Sequence, residues 1–397
     1  MLLIGGLPFL ISGLPQVDGA VADAFSWATI SALKTDGTTR GRQSVITLKI
    51  PGTDTLPTGV AQSGTNINVT GTGVTLEDWN FSGFQVSVKS GADITTITEC
   101  IFDMDITNSY SIYVESGGRC RVVSWCTFDG GSIANAGAAI GGYNNTSGAS
   151  HGVELIQRNE FLNVSNDAIK GSGTNYGEQI IELNYFGPPK AWPNAKAAWV
   201  SGTTYSIDEV ALRTSDGNTF VSKINNNTNN VLPPAESSDT NWLWFEPHAD
   251  TIQWERDTPN GMRIRWNYFD WIFSDFNGGL TTCVYIDPIG VLTLTGVTNV
   301  YENIIDTSST SSFPEFPRPF IISSNDSPWT TPNVYHNKIQ ERTGYKVMTG
   351  DPVNTINWGL NIQLSDDAAI AYNDTRMPAT GPVNWDSSTP ALGVDWP

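Results

Sequence analysis

The hydrophobic residues of this chain occur in short runs, without the spacing of an amphipathic helix. Runs such as Val122–Val123 and Phe320–Ile322 are separated by Gly, Asn, Ser and Thr. Short apolar runs bounded by turn-forming residues are typical of β-strands. The pattern therefore predicts an all-β protein with several strands in each repeating unit.

One short phrase recurs along the chain. It consists of a polar residue, any residue and an aromatic or aliphatic residue, often followed by Asp. Most copies are 25 to 36 residues apart, and one step spans 83 residues. Periods of about 20 to 50 residues indicate stacked repeats. With strand-like units, the period predicts a parallel β-helix with one coil per copy, and the copies begin at Cys100, Cys126, Asn159, Asn184, Asn267, Asn303 and Asn337.

The phrase predicts columns of equivalent side chains, because neighbouring coils stack about 4.8 Å apart. The Asn column predicts a ladder in which a turn Asn adopts a left-handed backbone and bonds the amide group of its neighbour. Cys100 and Cys126 share this column, either as stacked thiols or as a disulfide. The aromatic residues two positions further on predict an internal aromatic stack of Phe102, Phe128, Phe161, Phe186 and Phe269.

The 83-residue step contains a passage of different character, residues 191–245, whose removal leaves a coil of ordinary length. The passage resembles the chitin-binding type 3 group of carbohydrate-binding modules, with Asp208 in place of the usual Gly. The matching positions are Trp199, Gly202, Tyr205, Val210, Phe220, Pro233, Pro234 and Trp242. The resemblance implies an inserted module in which an exposed Trp192, Trp242 or Trp244 stacks on a sugar. The alternative is that these Trp side chains form the core of a very small domain.

The coils on either side of the insertion align two aspartates. Asp167 and Asp250 each precede the next Asn of the ladder by the same number of residues. In this alignment, strand alternation turns Lys170 and Gln253 outward on one parallel sheet. The polar patch around them is completed by His248, Arg256 and Asp287.

At these residues the chain resembles the pectate-lyase-like superfamily of right-handed parallel β-helix proteins. Asn166–Lys170 resembles the Asp-Asp-x-Ile strand of polygalacturonase-type hydrolases, with Asn in place of the first Asp. His248–Gln253 resembles the His-x-Asp-Gly-x-Gln phrase of secreted or phage-borne β-helix proteins, with Thr251 in place of Gly. The resemblance implies that a polysaccharide lies along the outward face of one sheet, with Gln253, Arg256 and Asp287 as contacts.

A lyase is one chemistry that fits the patch. Lys170 would be the base that takes the C5 proton of a uronic acid. The sugar carboxylate would be neutralised by Arg256, Arg263 or Arg265, or by Ca²⁺ held by carboxylates. The structural alternative is that Lys170 is a solvated residue on the outside of the coil.

A glycoside hydrolase is the other chemistry. Asp167 and Asp250 on adjacent coils would act as acid and as base or nucleophile. Two carboxylates on adjacent coils would lie close together, and their repulsion would raise the pKa of one carboxyl group, as a general acid requires. His248 is a further acid–base candidate. Structural roles are the alternative: the two aspartates would accept hydrogen bonds from backbone amides at the strand starts.

Composition limits the classes of partner that the protein could bind. The chain has 40 acidic and 21 basic residues and a net charge of -19, which disfavours nucleic acid because phosphate binding needs a basic face. No apolar stretch is long enough to cross a membrane. An acidic protein also repels an acidic glycan unless Ca²⁺ or local Lys and Arg residues intervene, so a neutral glycan remains open.

These observations predict five segments. Residues 1–50 form an N-terminal cap or lead-in, 51–190 and 246–377 the parallel β-helix, 191–245 the inserted module and 378–397 a C-terminal tail. The expected function is a polysaccharide-degrading enzyme, a lyase or a glycoside hydrolase, that is secreted or virion-associated. The alternatives are a non-catalytic carbohydrate-binding appendage of the tailspike type, for which a homotrimer is an option, and a structural fibre protein.

Overall fold

The computed structural model is all-β with parallel sheets, and its described residues contain one short α-helix. It describes residues 26–103, 110–130, 138–143, 152–164, 167–171, 177–188, 197–207, 209–215, 219–234, 238–245, 249–255, 261–270, 280–287, 297–306, 318–322, 332–340, 348–349, 357–370, 383–384 and 391–392.

Three large sheets contain most of the strands. The first sheet consists of β1 (Val60–Ser63), β2 (Asn66–Val69), β4 (Gln85–Val88), β7 (Tyr110–Glu115), β10 (Ala138–Tyr143), β13 (Ile169–Gly171), β22 (Ala249–Glu255), β25 (Leu280–Asp287), β28 (Arg318–Ile322) and β31 (Met348–Thr349). The second consists of β3 (Thr72–Glu77), β5 (Asp93–Thr98), β8 (Arg119–Ser124), β11 (Gly152–Gln157), β14 (Gln179–Glu182), β23 (Met262–Arg265), β26 (Thr298–Tyr301), β29 (Asn333–Tyr335), β32 (Asn357–Gly359) and β34 (Val383–Asn384). The third consists of β6 (Ile101–Asp103), β9 (Thr127–Asp129), β12 (Glu160–Leu162), β15 (Tyr185–Phe186), β24 (Tyr268–Asp270), β27 (Ile304–Asp306), β30 (Lys338–Ile339) and β33 (Ile362–Gln363).

The chain visits the three sheets in a fixed order. From β4 to β15 and again from β22 to β33, consecutive strands belong to the first, second and third sheet in turn. Each strand pairs in parallel with the strand of the next cycle, whereas β1 and β2 form an antiparallel pair. We call one cycle of three strands, one from each sheet, a coil. Within β13, Ile169 is buried and the next residue, Lys170, is partly exposed, which is the alternation of a strand with one face on a core.

The predicted aromatic stack fills part of that core. Phe102 and Phe128 stack with ring centroids 4.8 Å apart and ring planes 7° apart. The stack continues through Phe161 and Phe186 to Phe269, with centroids 4.8–4.9 Å apart. All five rings are at most 2% exposed, so they are core residues.

The predicted asparagine ladder is also present. It extends through six fully buried or nearly fully buried residues: Asn159, Asn184, Asn267, Asn303, Asn337 and Asn361. In each step, the side-chain oxygen of one Asn accepts hydrogen bonds from the backbone N–H and side-chain amide of the Asn one coil earlier, at 2.9–3.1 Å. Each side-chain amide also donates to a backbone carbonyl of the preceding coil, at 2.9–3.0 Å.

The left-handed backbone of this turn lies one residue earlier than expected. The ladder Asn itself is not left-handed; the residue before it is, with φ of 51–58° at Arg158, Leu183, Trp266, Glu302, His336 and Leu360. Large side chains seldom adopt this conformation. The ladder bonds therefore fix the turn against the local preference of the preceding residue.

Cys100 and Cys126 continue the ladder column as free thiols. The Cys126 sulfur lies 3.3 Å from the Ser124 carbonyl oxygen and 3.7 Å from that of Ile97. In the ladder, the two equivalent carbonyls accept hydrogen bonds from the side-chain amide of the Asn. The backbone N–H of Cys126 donates to the side-chain oxygen of Asn159 at 3.0 Å, which joins the thiol part of the column to the amide part.

Residues 197–245 form two small sheets whose strands do not pair with the three large ones. One sheet contains β16 (Ala197–Ala198), β18 (Val210–Leu212), β19 (Thr219–Ser222) and β21 (Trp242–Phe245), and the other contains β17 (Thr204–Tyr205) and β20 (Asn227–Thr228). A separate apolar cluster lies between them, with Tyr205, Ala211, Phe220, Leu232 and Trp242 buried and Trp199 packed against it.

Residues 26–50 lie along the outside of the third sheet. Helix α1 (Trp27–Thr35) begins after Ser26, whose side chain accepts from the Thr29 N–H, and a 3₁₀ turn follows at Gly37–Thr39. Ile30 and Leu33 of α1 pack on Tyr185, Tyr268 and Ile304. Residues 26–50, which we call the strap, thus contact successive coils: Lys34 bonds Asp306 and Asp270, Arg40 bonds Glu160, and Lys49 lies over the ring of Trp79.

Candidate functional site

The two predicted aspartates are brought together at the start of strands in the first sheet. Ile169 pairs with Ile252, so Asp167 stands opposite Asp250 in the same register. The Asp250 backbone N–H donates to Asp167 Oδ1 at 2.8 Å, and the Thr282 hydroxyl donates to Asp250 Oδ1 at 2.5 Å. We call Asp167, Asp250 and Thr282 the aspartate column. In the first of these contacts, Asp167 accepts a hydrogen bond from a backbone amide at the start of a strand. This is the structural role that was the alternative to catalysis.

Both carboxylates are buried, with residue exposures of 1% for Asp167 and 0% for Asp250. Burial and, to a smaller extent, the neighbouring Asp250 charge raise the pKa of Asp167, Lys170 and the Asp250 N–H lower it, and the resulting pKa is about 7. Lys170 Nζ lies 3.4 Å from Asp167 Oδ2. The carboxyl group therefore exchanges its proton near neutral pH, a range suited to a general acid. Such burial restricts direct contact with a polymeric substrate.

Lys170 is partly exposed, unlike the aspartate that it contacts. Its side chain is 30% exposed, compared with 1% for that of Asp167. It pairs in register with Gly141 on one side and with Gln253 on the other. Gln253 was predicted to face outward as a substrate contact, but it is 1% exposed. On the next coil, Tyr285 stands opposite Gln253 and is partly exposed.

An aromatic pair beside Lys170 was missed by the sequence analysis. Tyr110 and Tyr113 of β7 are both partly exposed, with ring centroids 5.1 Å apart and ring planes 31° apart. Tyr113 stands opposite Gly141. A side chain at Gly141 would collide with the Tyr110 ring, since an added Cβ would lie 2.2 Å from it. The Tyr110 ring therefore covers Gly141, next to Lys170 in the sheet. Aligning β7 with β10 and β13 would have revealed this pair.

The inserted module does not offer Trp242 as a sugar platform. Trp242 is 0% exposed, its indole N–H donates to the Asn230 carbonyl at 3.0 Å, and its ring meets Tyr205 edge-on. The prediction of an exposed Trp242 is therefore wrong, because so small a fold needs this ring as its core. Trp192 and the side chain of Trp244 lie outside the described residues.

Other predicted residues divide into two groups. Arg263 and Arg265 belong to the second sheet and are bonded to Glu178 and Glu182 at 2.7 Å. The expectation that they lie near the substrate charge beside Lys170 is therefore wrong. His248, Arg256 and the side chain of Asp287 lie outside the described residues. Across the residues that are described, no cluster of three or more His, Cys, Asp or Glu could hold a metal ion.

No family model, curated protein or solved structure matches the chain. Within the described part of the chain, no helix is sufficiently long and apolar to span a bilayer.

Proposed function

We propose that this protein is a right-handed parallel β-helix that binds a long extracellular glycan along the outward face of its first sheet. The proposed fold is supported by the fixed order of the three sheets and by the parallel register of successive cycles. The proposed extracellular or virion-borne location follows from the sequence resemblance.

The observation that carries the proposed binding function is the group of Tyr110, Tyr113 and Lys170. Aromatic rings present a flat, amphipathic surface that can pack on the C–H groups of a sugar ring. Because Gly141 has no side chain, the Tyr110 ring can lie directly on the strand between Tyr113 and Lys170. A cationic side chain beside the rings can donate hydrogen bonds to sugar oxygens. The binding hypothesis thus rests on partly exposed residues, whereas the two aspartates are buried.

Binding is tested by titrating soluble glycans of several classes into the protein by calorimetry. Tyr113→Ala should weaken the affinity for a bound glycan by about tenfold, since an aromatic contact is worth about 0.5–1.5 kcal/mol beyond its buried area. Tyr113→Phe is the matched control and should bind almost as tightly as the parent. The proposal fails if no glycan binds, or if Tyr113→Ala leaves every affinity unchanged.

Hydrolysis of the bound glycan is a second candidate function, favoured by the pKa of about 7 at Asp167. Asp167→Asn should then abolish the release of new reducing ends while leaving glycan affinity intact. If the parent releases none, the protein is a non-catalytic appendage. Elimination with Lys170 as base is the alternative chemistry, and Lys170 Nζ lies 3.4 Å from Asp167 Oδ2.

A further inference from the structure

A small cavity lies between strands of the first and second sheets. Strands β7, β10, β13 and β22 of the first sheet and β11 and β14 of the second contribute its lining residues. Most of these residues are glycines or buried apolar residues such as Ile140, Val153 and Ile169. The cavity has room for about one group of the size of a water molecule. Two of its lining residues, Trp254 and Gln179, carry polar side-chain atoms.

The indole ring of Trp254 packs where a glycine leaves space for it. Gly142, Gly171 and Trp254 stand in register on three successive coils. An added Cβ at Gly171 would lie 1.9 Å from the Trp254 ring, so the ring lies directly against this glycine. Trp254 is 3% exposed and belongs to the main apolar core. Its indole N–H has no hydrogen-bond partner among the described residues.

Gln179 carries the complementary polar atom. Its side-chain Nε2 donates to the Val153 carbonyl at 3.0 Å, and this bond determines which end of the amide is the oxygen. Gln179 is 3% exposed, and its Oε1 accepts no hydrogen bond from any residue that the structure describes. One buried donor and one buried acceptor thus border the same cavity without bonding each other, and leaving either of them unpaired destabilises the fold.

We propose that this cavity is a binding site for one water molecule, which accepts a hydrogen bond from the Trp254 indole N–H and donates one to Gln179 Oε1. A water molecule fits the available room and supplies both an acceptor and a donor. A metal cation could not accept from the indole N–H, and an anion without a proton could not donate to the amide oxygen. An apolar occupant would leave both buried atoms unpaired.

The bound water joins two coils that the inserted segment separates in the chain. Gln179 precedes residues 197–245, and Trp254 follows them on the next coil. The backbones of these coils already pair at Gly171–Trp254 and at Gln179–Met262. The water adds a polar link inside the core, and this link holds the Trp254 ring in one position where the coils resume after the insertion.

A crystal structure of the full chain, at a resolution that shows ordered water, tests the proposal directly. We expect one water oxygen about 2.7–3.2 Å from both Trp254 Nε1 and Gln179 Oε1. A direct hydrogen bond between the two side chains, or the absence of a water within reach of both atoms, would overturn the proposal. Gln179→Glu, crystallised at about pH 5, should keep the water, because a protonated carboxyl group can donate to the Val153 carbonyl and still present an oxygen to the cavity. Gln179→Met should lose it.

A double-mutant cycle provides the second measurement. Trp254→Phe removes the indole N–H, and Gln179→Met removes the oxygen that accepts from the water. If one water links the two side chains, Trp254→Phe should raise the unfolding equilibrium constant about threefold less in the Gln179→Met background than in the parent, because the water is already lost there. The cycle cancels the change in ring size, which is the same in both backgrounds. Equal effects of Trp254→Phe in the two backgrounds would contradict a shared water.

Discussion

Two columns of buried polar side chains cross the coils of this protein, and they differ in the chemistry of one group. The asparagine ladder precedes the strands of the third sheet, and the aspartate column lies at the start of strands in the first. An amide both donates and accepts, so each ladder Asn donates to the Asn of the next coil and accepts from the residue of the coil before it. An ionised carboxylate only accepts. Asp167 therefore depends on donors from other groups, namely the Asp250 N–H and Lys170.

The difference shows which column is a scaffold and which is a candidate for function. The amides are neutral, fully hydrogen-bonded and buried, and such a network stabilises one register of the coils. The carboxylates are equally buried, and burial raises the pKa of Asp167 to about 7. A buried carboxyl group with so strongly raised a pKa is a candidate functional site.

Converting one ladder amide into a carboxylate should have the largest effect. Asn184 donates to the carbonyls of Ile156 and Glu182, at 2.9 and 3.0 Å, and to the side-chain oxygen of Asn267 at 3.0 Å. Asn184→Asp would place a buried negative charge against all three oxygens. We expect a loss of about 4 kcal/mol in the free energy of unfolding at pH 7, measured by urea denaturation.

Acid should reduce this loss, because protonation of the new carboxyl group restores one donor and removes the charge. Asn226→Asp is the control: Asn226 is exposed and lies outside the ladder, and its change should stay within about 0.5 kcal/mol. A small loss at Asn184, equal to that at Asn226, would show that the ladder does not hold the coils in register.

Converting the first carboxylate of the aspartate column into an amide should have the next largest effect. The pKa of Asp167 is about 7 in the folded chain and 3.8 for an unperturbed side chain. The folded state thus binds more protons between these pH values, and this group lowers the stability of the parent as pH rises from about 4 to about 7. Over this pH range the free energy of unfolding of the parent falls by on the order of 3–4 kcal/mol because of this group.

Asp167→Asn should remove this pH dependence, because the amide does not titrate. The measurement is the difference between the two unfolding free energies from pH 4 to pH 8, which cancels the other carboxyl groups. We expect the free energy of unfolding of the variant, relative to that of the parent, to increase as pH rises. Parallel curves would mean that Asp167 keeps an ordinary pKa and that the proposed hydrolytic role loses its support.

The ladder, the aromatic stack and the pairing of Asp167 with Asp250 could be predicted from sequence for one reason. Each coil places the same residue type at a fixed distance from its turn, so the chain can be aligned with itself. The left-handed residue before each Asn could not be predicted in this way, since Leu183, Trp266 and Glu302 share no chemical property.

The burial of single side chains and the contacts of non-repeating segments could not be predicted from the repeat either. Trp242 matched a binding motif, but whether its ring faces sugar or core depends on how few residues the inserted fold contains. The strap has no internal repeat, and its contacts with the third sheet join residues far apart in the chain, such as Lys34 and Asp306. Tyr110 and Tyr113 precede the first Asn of the ladder, where the repeat offered the weakest alignment.

The smallest effect is expected where the ladder column contains thiols. A Cys126→Asn side chain could donate to the carbonyls of Ile97 and Ser124, which the Cys126 sulfur contacts at 3.7 and 3.3 Å. The side-chain oxygen of the new Asn could accept a hydrogen bond from the backbone N–H of Cys100. The oxygen of each ladder Asn accepts in the same way from the backbone N–H of the residue one coil earlier. We expect a gain of about 1 kcal/mol in the free energy of unfolding, because strong amide bonds replace weak thiol bonds.

Cys120→Asn is the matched control for this gain. Cys120 is as buried as Cys126, but it lies in β8 of the second sheet, opposite Ile94 and Val153, and has no place in the ladder column. An amide there would be buried without ladder partners and should cost about 1–3 kcal/mol. Opposite signs for the two substitutions would show that position in the column, rather than burial, determines whether an amide stabilises a coil. A loss at both positions would show that the coils before Asn159 have no room for the amide, and that the ladder ends there for steric reasons.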